Sequence, residues 1–333
     1  MLAPLYSFAG RGDGSCPWSR VIFGPDGSLY GTTSVGGPGC QGYGYGTVFS
    51  LRPPSTACKS AICPWTKTNV HTFGQVDGDD PSGDLTFDGA GNIYGTTYVG
   101  GKDGHGTVYE LTFNGVGWAV NVLYTFVNSG TLAGPIAGVM FDQARNLYGT
   151  AQAGLGWGGV FELTPSDGSW VYSEVYALHG GVQGAFPWSG VIFDEAGNLY
   201  SATSSYGAGG GGTFFELLPS NGGWGFSVLY SFAGVCCNDG GPRATLVMDA
   251  AGNLYGSTFG DGAYGLGSVF KLTPGASGWS HTSLHDFTGG DDGANPYSNV
   301  VFDASGNLYG TASAGGSSGV CSGGCGVVWE ITP

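Results

Sequence analysis

The sequence is poor in charge, poorest in basic residues, and has no stretch on which a long helix could run. Charged residues are 10% of the 333, against ~25% in an average globular domain. Nine Lys and Arg stand against 24 Asp and Glu, a net charge of −15. A phosphate backbone or an anionic bilayer surface would be repelled, so neither nucleic acid nor a membrane surface is an expected partner. No apolar run approaches the ~18 residues that a membrane-spanning helix needs. The longest segment free of both Gly and Pro is Trp118 to Ser129, too short for a helical architecture. No G-X-Y period occurs, which excludes collagen.

What is abundant is glycine, 68 residues, alongside 41% apolar and 14% aromatic residues. Such a chain can bury a core and is not a disordered linker. Met1 to Pro4 has neither a basic n-region nor an apolar h-region, so the chain is either intracellular or has lost a leader. Eight Cys, several as close local pairs in Gly-rich loops, favour the oxidising alternative, outside the cell or at its surface.

Self-comparison reveals the organisation. The motif Gly-Asn-Leu-Tyr-Gly, with variants, places its Tyr at 30, 94, 148, 200, 255 and 309, so six units recur at intervals of 64, 54, 52, 55 and 54 residues. Each unit offers four β-like segments. They read Val-Ile-Phe-Asp (191–194), Asn-Leu-Tyr-Gly-Thr (307–311), Gly-Thr-Val-Tyr-Glu-Leu (106–111) and a Trp-led segment such as Trp224 to Phe232. Period-two alternation bounded by Gly, Asn and Asp makes these strands joined by tight turns. The Asp-x-x-Gly-Asn turn accounts for Asp88, Asp142, Asp194, Asp249 and Asp303 as caps of their own turns. The fold expected is all-β, a six-bladed β-propeller of four-stranded antiparallel blades. One domain spans 1–333, with blades near 17–73, 81–126, 135–178, 187–232, 242–287 and 296–333. The last blade is completed by residues 3–8, because Leu5-Tyr6-Ser7-Phe8 matches a fourth strand and its addition would remove an open edge.

The repeats resemble the glycine-rich Gloeo_Verruco (GloVer) tandem repeats of exported bacterial proteins. The likeness rests on Gly-Asn-Leu-Tyr-Gly-Thr, the Gly-Gly that follows, and Gly-Thr-Val-Phe-Glu-Leu-Thr-Pro, and covers essentially the whole chain. It implies an extracellular place and no particular activity. The strand order is also similar to that of NHL-type propellers, an analogy of fold alone.

Columns that vary between blades are the candidates for chemistry. At the start of each first strand Pro17, Pro81, Pro135, Pro187, Pro242 and Pro296 align. The next column holds Trp18, Ser82, Ile136, Trp188, Arg243 and Tyr297; two residues on stand Arg20, Asp84, Gly138, Gly190, Thr245 and Asn299. Both columns share strand parity. They therefore suggest a ligand site built from Trp18, Trp188, Tyr297, Arg20, Asp84, Arg243 and Asn299, or, alternatively, a mere salt bridge of Arg20 with Asp84. The loop between second and third strands adds Tyr45, His105 and Trp157, and the residue after the Tyr motif adds Tyr98, Gln152 and Phe259. Aromatic faces flanked by amides and carboxylates suit sugar rings. A non-catalytic binder of extracellular glycan or another small molecule is one reading. A polysaccharide hydrolase or lyase using Asp84 and Asp292, with Arg20 or Arg243 on an anionic group, is the alternative, and a ligand-free surface scaffold is a third. No cofactor is expected; calcium is conceivable at Asp77-Gly78-Asp79-Asp80, which lacks EF-hand spacing.

Four local disulfides are expected. Cys16 can meet Cys40, Cys58 lies near Cys63, Cys321 near Cys325, and Cys236 and Cys237 are adjacent. The competing arrangement gathers Cys236, Cys237, Cys321 and Cys325 on a soft metal.

Overall fold

The computed structural model describes residues 5–37, 44–54, 65–127, 132–152, 154, 156–234, 240–276, 278–316 and 324–332. Its architecture is all-β, the six-bladed β-propeller class, with 3-10 turns among the described residues at Arg11–Asp13 and Gly181–Gln183. The first blade comprises β1 (Ile22–Phe23), β2 (Leu29–Thr33), β3 (Thr47–Arg52) and β4 (Thr66–Thr72). The second comprises β5 (Thr86–Phe87), β6 (Ile93–Thr97), β7 (Thr107–Phe113) and β8 (Trp118–Thr125). The third has β9 (Met140–Phe141), β10 (Leu147–Ala151), β11 (Gly159–Ser166) and β12 (Ser169–Ala177); the fourth has β13 (Ile192–Phe193), β14 (Leu199–Ala202), β15 (Gly210–Ser220) and β16 (Gly223–Ala233). The fifth has β17 (Val247–Met248), β18 (Leu254–Thr258), β19 (Ser268–Gly275) and β20 (Gly278–Asp286), and the sixth β21 (Ala294–Pro296), β22 (Val301–Phe302), β23 (Leu308–Ala314) and β24 (Val327–Ile331). In the first five sheets the strands lie in chain order.

The sixth sheet differs from the expectation. Its four members are β21 and β22 on one side of β23 and β24 on the other, so a divided first strand supplies the fourth member. Residues 5–8 join no ladder among the described residues, and 3–4 lie outside them. The segment nonetheless keeps the contacts of a fourth strand. Tyr6 donates to Asp13 at 2.7 Å, as His71 bonds Asp77, and Phe8 packs edge-on against Phe49 at 5.0 Å, as Phe73 does on Tyr109.

By contact the chain divides into two compact units, Met1–Val139 with Pro165–Tyr172, and Met140–Thr164 with Ser173–Pro333. The repeat motif explains the core of each. In the first unit the Tyr30 ring meets Phe87 and Trp118 edge-on at 5.1 and 6.5 Å. In the second, Tyr148 meets Phe193 and Trp224, at 5.1 and 6.0 Å. The motif tyrosine of one blade is therefore the mortar against the first and fourth strands of the next. Its hydroxyl is aimed at carboxylates. Tyr200 donates to Glu216 at 2.8 Å with Asp194 at 3.2 Å. The Asp turn closes as expected: Asp194 accepts from Ala196 N, Asn198 N and Asn198 Nδ2 at 2.7–2.9 Å, and Gly197 takes φ 83°.

Candidate functional site

The variable columns are gathered by the residue that precedes each aligned proline. Cys16, Asp80, Gly134, Phe186 and Asn295 all have φ between 54° and 64°, although a following proline favours extended backbone. This left-handed kink points the peptide groups at two loops. Asp80 N donates to the Tyr45 carbonyl at 3.2 Å, Gly134 N to His105 at 2.9 Å, Phe186 N to Trp157 at 2.9 Å and Asn295 N to Leu266 at 2.7 Å. In return the Asp80 carbonyl accepts from Tyr98 N at 3.0 Å and that of Phe186 from Ser204 N at 3.1 Å. Loop residues that are far apart in sequence are thus brought together at each proline.

The polar column two residues past the first variable one holds blade to blade. Asp84 Oδ1 accepts from Arg20 N at 2.8 Å, and its Oδ2 lies 3.5 Å from Arg20 Nε. In the second unit Thr245 Oγ1 accepts from Gly190 N at 3.1 Å, and Asn299 Oδ1 from Thr245 N at 2.7 Å. The salt-bridge alternative for Arg20 and Asp84 is the geometry seen, and a backbone hydrogen bond comes with it. Asp292, the other candidate carboxylate, caps a loop: it accepts from Thr288 N at 2.9 Å and from Thr288 Oγ1, and pairs with His285 Nε2 at 3.1 Å. These donors hold its carboxyl below the ordinary value despite the opposing effect of burial, which suits a permanent anion and not a general acid.

In the second unit Arg243 stands in an aromatic box. Its guanidinium carbon lies 4.0 Å from the centroid of Phe259, 4.9 Å from Trp188 and 5.4 Å from Tyr297. The rings brace one another edge-to-face, Trp188 with Tyr297 at 6.2 Å and Phe259 with Tyr297 at 5.9 Å. Trp188 Nε1 is buried without a hydrogen-bond partner among the described residues. The proline column fixes Trp188, Arg243 and Tyr297; Phe259 N bonds the Gly241 carbonyl at 3.1 Å, which brings its ring to the same place.

Other candidates fall elsewhere. Trp18 is 55% exposed. Tyr45 packs against the core of the first unit. Gln152 is half-buried, with Oε1 lacking a partner among the described residues. Asp77 accepts from Gly74 N at 2.7 Å and pairs with His71 at 2.7 Å. Among the described residues no three His, Cys, Asp or Glu converge as a metal would require. Cys16 carries a free, exposed thiol, so the bridge expected for it is not formed; its expected partner, Cys40, lies outside the described residues. Cys325 is not a free thiol. Cys40, Cys58, Cys63, Cys236, Cys237 and Cys321 lie outside the described residues, and with them the remaining pairings and the soft-metal alternative.

Sequence reasoning offered Asp80 only as one of several loop carboxylates, within Asp77-Gly78-Asp79-Asp80, and passed over its burial. Burial, with Asp79 adding repulsion, raises its carboxyl above the ordinary value against a hydrogen bond from Ser82. It also passed over His281, which stacks on Tyr230 at 4.6 Å and whose pKa burial lowers. Among the described residues, hollows of about 500 and 390 Å³ lie at the Asp turns, beside Asp303 and Asp194, among residues that already serve the fold, and one of about 270 Å³ lies beside His285, Asp291 and Asp292.

The sequence matches the profile of the Gloeobacter/Verrucomicrobia repeat over residues 2–157 and 146–333. No curated protein matches it. Among solved structures it is similar to a gluconolactonase from Xanthomonas campestris, at 14% identity and TM-score 0.55, over 98% of this chain and 91% of that one. A candidate oxidoreductase (glucose dehydrogenase) from a Thermus species gives 16% identity and TM-score 0.54, over 96% and 98%. A candidate 6-phosphogluconolactonase from Bacteroides fragilis gives 15% and 0.55, over 90% and 78%. At such identities the likeness is one of fold.

Proposed function

The chain belongs to the Gloeobacter/Verrucomicrobia repeat family, and we propose that this member is a non-catalytic carbohydrate-binding propeller, acting outside the cell, that takes an acidic sugar on Arg243. The observation that carries the reading is the guanidinium set against Phe259, Trp188 and Tyr297. Rings over a guanidinium restrict its rotamers and strip water from its faces, and the in-plane N–H fork is what a carboxylate accepts in bidentate form. The C–H face of a pyranose then has Trp188 or Tyr297 to rest on. The relatives in fold named for gluconolactone and glucose act on sugar-derived molecules, which agrees with this class of ligand. An extracellular place accords with the strongly acidic composition and the cysteines of the Gly-rich loops.

Calorimetry with oligogalacturonate, alginate and glucuronate-containing oligosaccharides tests the reading. Arg243→Ala should weaken binding by about a hundredfold and Arg243→Lys by about tenfold, since lysine keeps the charge but loses the fork. Absence of binding by the unaltered protein, or equal binding by Arg243→Ala, overturns it.

A second reading, a polysaccharide-cleaving hydrolase or lyase, is favoured by Asp80 and not by Asp84 or Asp292. A carboxyl whose proton affinity is raised by burial is suited to protonating a leaving oxygen. New reducing ends that disappear in Asp80→Asn would establish it over simple binding.

A further inference from the structure

At one place in the second unit two aromatic residues occupy left-handed backbone and converge on one indole. The pre-proline position of the fourth blade holds Phe186 at φ 57°, where others hold Cys16, a small side chain, and Asp80, Gly134 and Asn295, residue types that tolerate that region. The sixth residue after the motif Tyr is glycine in four blades, Gly36, Gly100, Gly154 and Gly315, and Asp261 in the fifth. In the fourth blade it is Tyr206, at φ 63°. A bulky side chain at positive φ is strained and persists where the surroundings hold it.

Both strained rings face Trp157. The Phe186 and Tyr206 centroids lie 6.0 and 5.1 Å from that of Trp157, and 6.3 Å from each other. Gly180 backs the indole so closely that a Cβ there would meet it at 3.0 Å. The arrangement is fixed through the main chain: Phe186 N donates to the Trp157 carbonyl at 2.9 Å, and Ser204 Oγ to the Phe186 carbonyl at 3.0 Å. Trp157 is nevertheless 38% exposed. A core cluster would bury its tryptophan and would not need strain; two fixed rings around a half-open indole make a platform.

We propose that Trp157, Phe186 and Tyr206 form a second subsite that stacks the apolar face of a neutral pyranose. The inference rests on reading the chain as a carbohydrate binder. The three side chains carry no charge, so they offer C–H/π contact without selecting an ion. Phe186 and Trp188 are two residues apart, so their Cα atoms are no more than about 7 Å from each other. One ligand spanning both subsites is then an oligosaccharide with a neutral unit beside its acidic one.

The test uses the whole protein with two kinds of probe: trigalacturonate for Arg243, and a set of neutral oligosaccharides, cellotetraose, laminaritetraose, mannotetraose and maltotetraose, for the platform. Trp157→Ala should lose about tenfold or more in affinity for the neutral probe while binding trigalacturonate as before. Arg243→Ala should do the reverse. Tyr206→Gly restores the residue of four other blades and Phe186→Asn that of Asn295, so both should melt like the parent yet bind the neutral probe weakly. Trigalacturonate binding with no neutral probe bound at about 10 mM overturns the platform alone. So does neutral binding untouched in Trp157→Ala and Tyr206→Gly. Failure of both kinds of probe overturns the carbohydrate reading itself.

Discussion

Removing the Asp84 carboxylate should cost markedly more stability than removing its ion-pair partner. Asp84→Ala deletes a charged acceptor that holds Arg20 N at 2.8 Å. Hydrogen bonds to charged groups contribute ~1.5–3 kcal/mol, and the low end applies where water can reach the orphaned N–H. The ion pair is longer, 3.5 Å, with side chains 40% and 18% exposed, so it contributes ~0.5 kcal/mol and is screened by salt. Asp84→Ala is therefore expected to lose about 2 kcal/mol and Arg20→Ala about 0.5. In about 1 M NaCl the Arg20 effect should vanish, while most of the Asp84 effect persists. Urea unfolding at low and high salt, with a double-mutant cycle, reads both. If Asp84→Ala were neutral, or if both variants lost the same amount, the backbone bond would not hold the blades and the carboxylate would be open to a ligand.

At alkaline pH the motif tyrosines should set the limit of stability. Burial first, then nearby carboxylates, push Tyr30 up to about 12, and raise Tyr94, Tyr148 and Tyr200 further still. The neutral hydroxyl is favoured in the fold, so stability is intact below pH 10 and is lost as pH rises toward 12; a urea midpoint unchanged between about pH 9 and about pH 12 would contradict this. In acid, Asp26, Asp249 and Asp303 titrate below their ordinary value, so urea midpoints should fall as pH drops beneath about 3.8. Asp80 is raised, so the opposite sign applies: Asp80→Asn should increase the urea midpoint at pH 7 and lose that advantage toward pH 4, and a midpoint unchanged at pH 7 would refute the strain assigned to that charge. Gly256→Ala would place a methyl 2.6 Å from Leu246 Cδ2 and 2.9 Å from Phe270 Cζ, and should cost about 2 kcal/mol, checked by the same unfolding curves.

The fold was legible because the repeat states its own physics. Asp, Gly and Asn at fixed offsets define a turn, and the Tyr between them has to pack somewhere, so six copies of one motif specify six sheets. In the sixth blade Ala294–Pro296 pairs with Ala312 and Ala314, a contact that other blades make as single bridges, Ser15 with Val35, Asp79 with Val99, Ala185 with Ser205 and Pro242 with Thr258. Only its extension into a ladder sets that sheet apart. The site was legible only as columns. Aligning the blades singled out Arg243, Trp188, Tyr297 and Phe259, which do meet, but the same alignment could not tell Asp84 and Asn299 from ligands. A carboxylate or amide that holds a neighbouring N–H has the same letters as one that holds a sugar. Asp292 shows what more the alignment contained: Asp13, Asp77, Gln183 and Asp292 each follow a fourth-strand Tyr or His by six or seven residues and bond to it. That recurrence already marked them as loop caps.

The left-handed column was the hardest to foresee, because the general rule points the other way. A residue before proline is expected to be extended, yet at five of the six junctions it is kinked to positive φ. The compositional trace is faint: Asp, Gly, Gly and Asn at four of six positions, types that accept that region, beside Cys16 and Phe186. Read backwards, the same trace becomes informative. Where the backbone favours Gly or Asn and the chain supplies Phe186 and Tyr206, local preference is overridden twice within one junction, and both rings turn to the same exposed Trp157. Departures from local consistency are expected where a surface has been kept for binding. The six copies therefore serve as an internal reference: the other blades report what the fold requires, and the fourth reports what it does beyond that.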